Sequence, residues 1–157
     1  MPATTRCPDC GAVHIGGTNC QDIFNRFLVL EFSDPAYGKV HFLTVACFMI
    51  QHNRYSEDGL VWIYRLLKTY LAGDISLRQL RRRAAASAGN RKRNWKINRL
   101  PGEKLPPKIS WSMTITDVAV KYQDAESYCQ LVMKWAHLVQ TEMQPLFRAD
   151  FPIPNGN

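Results

Sequence analysis

The sequence lacks any apolar run long enough to cross a bilayer, which takes roughly 20 consecutive apolar residues. Its first ten residues are polar, and no apolar stretch of the kind found in a secretory signal follows Arg6. These absences argue against a membrane or secreted protein and predict a cytoplasmic location without membrane contact. In that reducing compartment, cysteines serve as metal ligands or buried apolar side chains more often than as disulfides.

Catalytic signatures and internal repeats are also missing, so nothing in the sequence identifies a reaction. What is present is an ordinary globular composition, with 46% hydrophobic and 11% aromatic residues, which excludes a disordered chain. A chain of 157 residues can bury an adequate core. We therefore predict a single domain over residues 1–152, followed by a disordered tail over 153–157.

The spacing of apolar residues predicts a mostly helical fold. Apolar positions recur every three or four residues in five segments, at about 20–32, 39–51, 56–71, 75–88 and 124–147. Residues 109–118 alternate between apolar and polar and predict an extended segment, but no partner strand is in view. Gly and Pro make 89–108 a long loop inserted between packed helices. The predicted fold class is all-α, with about five helices in one compact domain.

Three of the five cysteines crowd into an irregular N-terminal loop over residues 1–20. Cys7 and Cys10 belong to the sequence Cys-Pro-Asp-Cys-Gly, which is typical of a turn whose sulfurs converge on one ion. Cys20 stands at the start of the first predicted helix, where the helix dipole favours a thiolate. A redox pair usually opens a helix after a strand, so we interpret these cysteines as zinc ligands. Cys47 and Cys129 lie in apolar helical patterns and are predicted to pack in the core.

A tetrahedral zinc site needs a fourth ligand, and three histidines compete for that position. His14 would complete a compact site within the loop, but its spacing matches a nucleic-acid-binding zinc knuckle imperfectly. His41 and His52 lie near opposite ends of the second predicted helix, too far apart to share one ion. If the first two helices are antiparallel neighbours, the end of the second lies level with Cys20, which favours His52. Three thiolates and one imidazole make a closed site, which is structural rather than catalytic.

These residues resemble a bacterial family of small Cys-rich helical proteins that is grouped only as a domain of unknown function. The resemblance rests on Cys-Pro-x-Cys-Gly at 7–11, Cys20-x-x-x-Phe24, Val40-His41 and Gln51-His52. It runs to about residue 143 but is dense only over 7–55. This chain has Asn53 where the family typically has proline, and the basic stretch at 91–99 is not part of the pattern. The resemblance implies a Cys-rich head on helices and no particular activity.

The basic charge of the chain belongs to one segment. The net charge is +7, and residues 78–108 hold eleven Lys or Arg against one acid, Glu103. Such a segment can neutralise phosphates, and an exposed Trp within it can stack on an unpaired base. An acidic protein partner would use the same residues. The alternative is a solvated helix face followed by a loop that Trp95 anchors to the core. The candidate nucleic-acid-binding residues are Arg81, Arg82, Arg83, Arg91, Lys92, Arg93 and Trp95.

Two functions from different classes remain open. The first is a non-enzymatic binding or accessory protein whose basic segment contacts nucleic acid or an acidic protein. The second is an enzyme of unknown reaction with a site near His41 and His52, which would need a pocket that holds convergent titratable groups. The sequence shows the basic segment more clearly than it shows such a pocket, so it favours the binding protein.

Overall fold

The computed structural model describes residues 5–149 and confirms the all-α class. No strand is present among these residues, and the helices are α1 Cys20–Ser33, α2 Pro35–Gly38, α3 His41–Gln51, α4 Glu57–Leu71, α5 Leu77–Ala88, α6 Ile115–Lys121 and α7 Ala125–Ala149. The five predicted helices correspond to α1, α3, α4, α5 and α7, whereas α2 and α6 are additional. Within 5–149, no helix combines the length and apolar character that a membrane span requires. The predicted tail over 153–157 lies outside the described residues.

Helix α6 corrects the prediction of an extended segment over 109–118. Residues 109–114 have no regular secondary structure, but a helix begins at Ile115. The backbone N–H of Thr114 donates a hydrogen bond to the Asp117 carboxylate at 2.8 Å, as in a capping box. Ile115 and Val118 are three residues apart, lie on one side of the helix and are both fully buried. The alternation of apolar residues in this segment therefore leads into a capped helix, not a strand.

The described residues divide into two compact units. Unit 1 comprises residues 5–52 and 110–139, which include α1, α2, α3, α6 and the first part of α7. Unit 2 comprises residues 53–109 and 140–149, which include α4, α5, the long loop and the end of α7. The predicted limits of a single domain, residues 1–152, stay a prediction.

The core of unit 1 is built on α3, which is apolar on most of its faces. Leu43 and Cys47 of this helix are at most 1% exposed, which confirms the predicted core position of Cys47, and burial raises the pKa of its thiol. Gln51 is a buried polar side chain with both of its functional atoms satisfied. Its Nε2 donates to the Met113 carbonyl at 2.8 Å, and its Oε1 accepts from the Trp135 indole at 3.2 Å.

A buried carboxylate links three helices of unit 1. Glu31 near the end of α1 is buried, and its Oε2 accepts hydrogen bonds from the hydroxyls of Thr44 and Tyr128, both at 2.6 Å. Its Oε1 lies 2.9 Å from Nδ1 of His41, which is partly exposed. Burial and the neighbouring Glu31 carboxylate raise the pKa of the Tyr128 hydroxyl, which therefore remains a proton donor. Three donors compensate the cost of burying this charge.

Unit 2 is organised around one face of α4. Ile63, Tyr64 and Leu67 of this face are all buried. The Tyr64 ring stacks on that of Phe147 in α7 with centroids 4.1 Å apart. Helix α5 contacts α4 and buries Leu80 completely, while the rest of its surface is largely exposed. A single buried leucine and its half-buried neighbours therefore attach a helix whose other residues are exposed.

The long loop over 89–108 contains no helix, as predicted, yet its middle is tied to the start of α4. The backbone N–H of Ser56 donates to the Ile97 carbonyl at 2.9 Å, and the Ser56 hydroxyl donates to the Lys96 carbonyl. Gly59 allows this close approach, because a Cβ at that position would collide with the Ile97 carbonyl oxygen. The middle of the basic segment is therefore held by backbone contacts within unit 2.

Replacing Tyr128 with Phe should destabilise the chain by about 1–3 kcal/mol, because it leaves a buried carboxylate with one donor fewer. Denaturant-induced unfolding followed by circular dichroism measures this change. The matched control is Tyr37→Phe, which removes the same hydroxyl from a half-exposed ring and should cost less than about 0.5 kcal/mol. Equal stability of the two variants would contradict the role assigned to the Glu31 network.

Candidate metal centre

The N-terminal loop folds into a tight turn that brings Cys7 and Cys10 together. The N–H of Gly11 donates a hydrogen bond to the Cys7 carbonyl at 2.9 Å, and the N–H of Cys7 donates to the Ala12 carbonyl at 2.8 Å. Gly11 has φ of +80°, a left-handed conformation that favours glycine. Both cysteines are buried. The Cys-Pro-Asp-Cys-Gly sequence therefore forms the turn that its spacing predicts.

Two helix ends supply the other members of the cluster. Cys20 is the first residue of α1, whose start is fixed by Asn19, since its side chain accepts the Asp22 N–H at 2.9 Å. His52 follows the last residue of α3, and its Nδ1 lies 2.7 Å from the Phe48 carbonyl oxygen. A carbonyl can only accept a hydrogen bond, so Nδ1 carries the proton and Nε2 offers its lone pair to the sulfurs.

The ligand atoms of Cys7, Cys10, Cys20 and His52 all lie within 4.8 Å of one another. Cys7 Sγ is 3.6 Å from His52 Nε2, and Cys10 Sγ is 3.7 Å from Cys20 Sγ. A tetrahedral ion with metal–sulfur bonds of about 2.3 Å and metal–nitrogen bonds of about 2.0–2.1 Å has edges of about 3.6 Å and 3.8 Å. These two separations in the structure match the two edges. The four side chains are therefore arranged in a way that can bind a metal ion.

The sulfurs of Cys10 and Cys20 compete for one proton. The hydrogen bond from the Cys20 thiol lowers the pKa of Cys10 to about 4. That same hydrogen bond, together with burial, raises the pKa of Cys20. Two buried thiolates at this distance repel each other, so complete deprotonation of the cluster needs a positive charge between them. A bound metal ion would supply that charge, and its binding would release protons from the thiols that it coordinates.

Of the three candidate histidines, His52 is the one that the structure brings into this cluster. His14 is half-exposed and borders the cluster, with its Nε2 3.9 Å from Cys20 Sγ. His41 lies at the start of α3, where it contacts Glu31 instead. The geometry agrees with the expectation that the end of the second long helix lies level with Cys20.

The basic candidates fall into two groups in the structure. Exposed side chains belong to Arg81, Arg82, Arg83, Arg91 and Lys92. Arg93 makes contacts within the chain, because its guanidinium donates to the carbonyls of Ser87 at 2.7 Å and Trp95 at 2.8 Å. Trp95 is half-buried, and its ring centroid lies 6.1 Å from that of Trp62. Nothing in the local sequence around Trp95 indicates this pairing with a residue in α4.

Two grooves bear on the alternative of an active site near His41 and His52. One of about 600 Å³ lies in unit 2 between the start of α4 and residues 104–107. The other, of about 340 Å³, lies in unit 1 between α1 and α6. Neither groove is lined by His41 or His52, so neither supplies the pocket that this alternative would need.

A family model described as "Family of unknown function (DUF5946)" matches residues 5–144. This span includes the cysteine turn, Cys20 and His52, and it confirms the resemblance to a family of unknown function. No curated protein and no solved structure matches the chain. The comparisons therefore provide a family without an activity.

Replacing Cys20 with Ser should lower the metal content of the purified chain from about one ion to well below one, because a tetrahedral set loses a thiolate. Elemental analysis of protein purified without added metal measures this content. Cys129→Ser is the matched control, since Cys129 is a half-buried cysteine outside the cluster. A Cys20→Ser variant that keeps its full metal content would show that the ligand set is wrong.

Replacing His52 with Ala should weaken metal binding more than replacing His14 with Ala. Loss of an outer partner typically costs about 10- to 100-fold in metal affinity, and loss of a ligand should cost more. Competition against a chromophoric chelator gives both affinities. The reverse order would make His14 the fourth ligand and His52 its neighbour.

Proposed function

The chain belongs to the family of unknown function DUF5946, and for this member we propose a non-enzymatic binding protein, stabilised by zinc, whose basic segment contacts nucleic acid. The observation that carries the binding role is the charge of unit 2. Residues 75–102 contain nine Lys or Arg and no acidic residue. Most of these basic side chains are exposed on α5 and the loop that follows it.

The donor set supports zinc as the metal. Three thiolates and one imidazole are soft and borderline ligands, which zinc accepts in tetrahedral structural sites. Cys7, Cys10, Cys20 and His52 are 3–7% exposed, so protein atoms surround the centre. Iron in a similar sulfur-rich set is the competing identity, and elemental analysis separates the two metals.

A closed site of this kind supports a structural role. With all four positions taken by protein atoms, no position is open for water or substrate. An ion held by these residues would join the N-terminal turn to the start of α1 and to the end of α3. Its binding free energy would then contribute directly to folding, because the ligands are far apart in the unfolded chain.

The exposed cations support nucleic acid as the partner. Lys and Arg side chains that neutralise phosphates release condensed counterions, and this release supplies affinity without reading sequence. Arg82, Arg83, Arg91 and Lys92 are exposed and have no acidic residue near them in sequence. Arg93 and Trp95 contact each other instead, so the proposed interface does not use them.

Chelation should destabilise the purified chain. If zinc is present at about 1,000 times its dissociation constant, it contributes about 4 kcal/mol, which corresponds to roughly 8–16 °C in Tm for a chain of this size. Thermal unfolding with and without a strong chelator measures the shift, and restored zinc should reverse it. Unchanged Tm after complete metal removal, verified by elemental analysis, would contradict the structural role.

Replacing Arg83, Arg91 and Lys92 with Ala should reduce the salt dependence of nucleic-acid binding. Each lost phosphate contact removes about 0.9 from the slope of log affinity against log salt, so the triple variant should lose roughly two to three units. Fluorescence anisotropy with a labelled oligonucleotide at several salt concentrations measures the slope. The matched control replaces Lys39, Lys121 and Lys134, which are exposed in unit 1, and removes the same charge.

The control triple should keep nearly all of the slope, and both triples should keep the wild-type Tm. A folded wild-type chain that binds no oligonucleotide at low salt would end the nucleic-acid proposal. An acidic protein would then become the better explanation of the basic segment. Equal losses in both triples would mean that net charge acts rather than this surface.

A further inference from the structure

The aromatic side chain of the basic segment is already engaged within unit 2. Trp95 is the one aromatic residue between positions 75 and 108. The Arg93 guanidinium lies over its ring, 5.0 Å from the centroid, in a cation–π contact. The Trp62 ring lies 6.1 Å away at an angle of 52°. An unpaired base could stack on Trp95 only if it displaced one of these neighbours.

Arg93 holds this arrangement in place through its other contacts. Its Nη1 donates to the Ser87 carbonyl in the last turn of α5, and its Nε donates to the Trp95 carbonyl. The guanidinium therefore contacts the last turn of α5, the backbone of the loop and the indole ring at the same time. Moving Arg93 aside to admit a base would break two charge-assisted hydrogen bonds and one cation–π contact. The segment thus lacks an available platform for base stacking.

Helix α5 offers a different kind of surface. Leu80 marks its buried side, and successive residues are rotated by about 100° around the axis. Arg81 and Arg83 are therefore on opposite flanks, with Arg82 between them on the outer side and Arg78 one turn earlier. All four are exposed, although Arg81 also has a contact within the chain. A helix is about 10–12 Å across, close to the width of about 12 Å of the major groove of DNA.

From the engaged Trp95 and the cations on both flanks of α5, we infer that the nucleic acid is double-stranded and is contacted through the phosphates of both strands. This inference rests on the proposed nucleic-acid-binding function and narrows it. A duplex carries a phosphate charge every 1.7 Å or so along its axis, compared with about 3.4 Å for one strand. Cations on the two flanks of α5 can contact phosphates on both sides of the helix at once only if the nucleic acid has two strands. Phosphate contacts carry no base information, so binding is independent of sequence.

The experiment titrates the full chain with a labelled 20-base-pair duplex of mixed sequence and with each of its separated strands. Both are measured at three salt concentrations. The duplex should bind more tightly at each of them. The slope of log affinity against log salt should also be steeper for the duplex, because each phosphate contact contributes about 0.9 to the slope in a duplex and about 0.7 in a single strand. A second duplex of unrelated sequence should give the same affinity.

Two matched variants test the role of Trp95 itself. Trp95→Leu and Trp62→Leu each remove one ring of the pair and keep an apolar side chain, so both should lower Tm. Neither should change the ratio of duplex affinity to single-strand affinity, because a packing role acts on both ligands alike. If Trp95 stacks on a base, only Trp95→Leu would lower single-strand affinity, by roughly 5- to 150-fold as expected for one lost stack.

The outcomes separate this inference from the function beneath it. Tighter binding of single strands, or a selective loss in Trp95→Leu, would overturn the duplex inference and leave a nucleic-acid-binding protein. No binding of either ligand by folded chain at low salt would remove the proposed function as well. Tighter binding of the duplex, with the same ratio of duplex to single-strand affinity in Trp95→Leu and Trp62→Leu, would support the duplex inference and the proposed function.

Discussion

The order of the N-terminal loop depends on the cluster of Cys7, Cys10, Cys20 and His52, because few other side chains of the loop are buried. Among residues 5–19, the buried positions are Cys7, Cys10 and Ala12. So little buried apolar surface cannot offset the conformational entropy of ordering a segment of this length. The sulfurs of the loop instead converge with Cys20 and His52 within 4.8 Å. An ion at that point would couple the order of the loop to the end positions of α1 and α3.

The histidines at the two ends of α3 have different neighbours, because the buried Glu31 carboxylate contacts His41. His41 lies beside Glu31, whose other oxygen is shared by Thr44 and Tyr128. At the opposite end of the helix, the Nδ1 proton of His52 is directed to a carbonyl oxygen of its own helix, which leaves Nε2 towards the sulfurs. Unit 1 therefore combines a carboxylate–imidazole contact at one end of α3 with a thiol cluster at the other.

The basic segment likewise contains residues of two kinds. Arg93 and Arg99 donate to carbonyl oxygens and help to shape the loop. Most of the remaining cations are exposed, and no acidic residue between 75 and 102 compensates them. Self-repulsion of this kind costs stability unless a polyanion relieves it. The charge of the segment does not distinguish the two kinds of residue, because every Lys and Arg contributes equally to it.

The sequence by itself determined the features that depend on near neighbours. Apolar spacing predicts the five long helices, and Cys-Pro-Asp-Cys-Gly predicts the thiol turn, because capping, periodicity and turn formation act over a few residues. The sequence also favours His52 through helix topology, but it leaves His14 and His41 open. The start of α6 could also have been predicted from the local sequence, because Thr114 and Asp117 have the spacing of a capping box. The alternation of apolar and polar residues favoured an extended segment instead.

Tertiary structure decided what depends on distant residues. His52 meets Cys7 across 45 positions of chain, and His41 is drawn to Glu31 instead. Trp95 finds Trp62 in another element, which makes it a packing residue. These contacts follow from how helices pack and how buried charges find partners. Packing depends on all parts of the chain together, so a pattern within a few residues does not determine which distant residues meet.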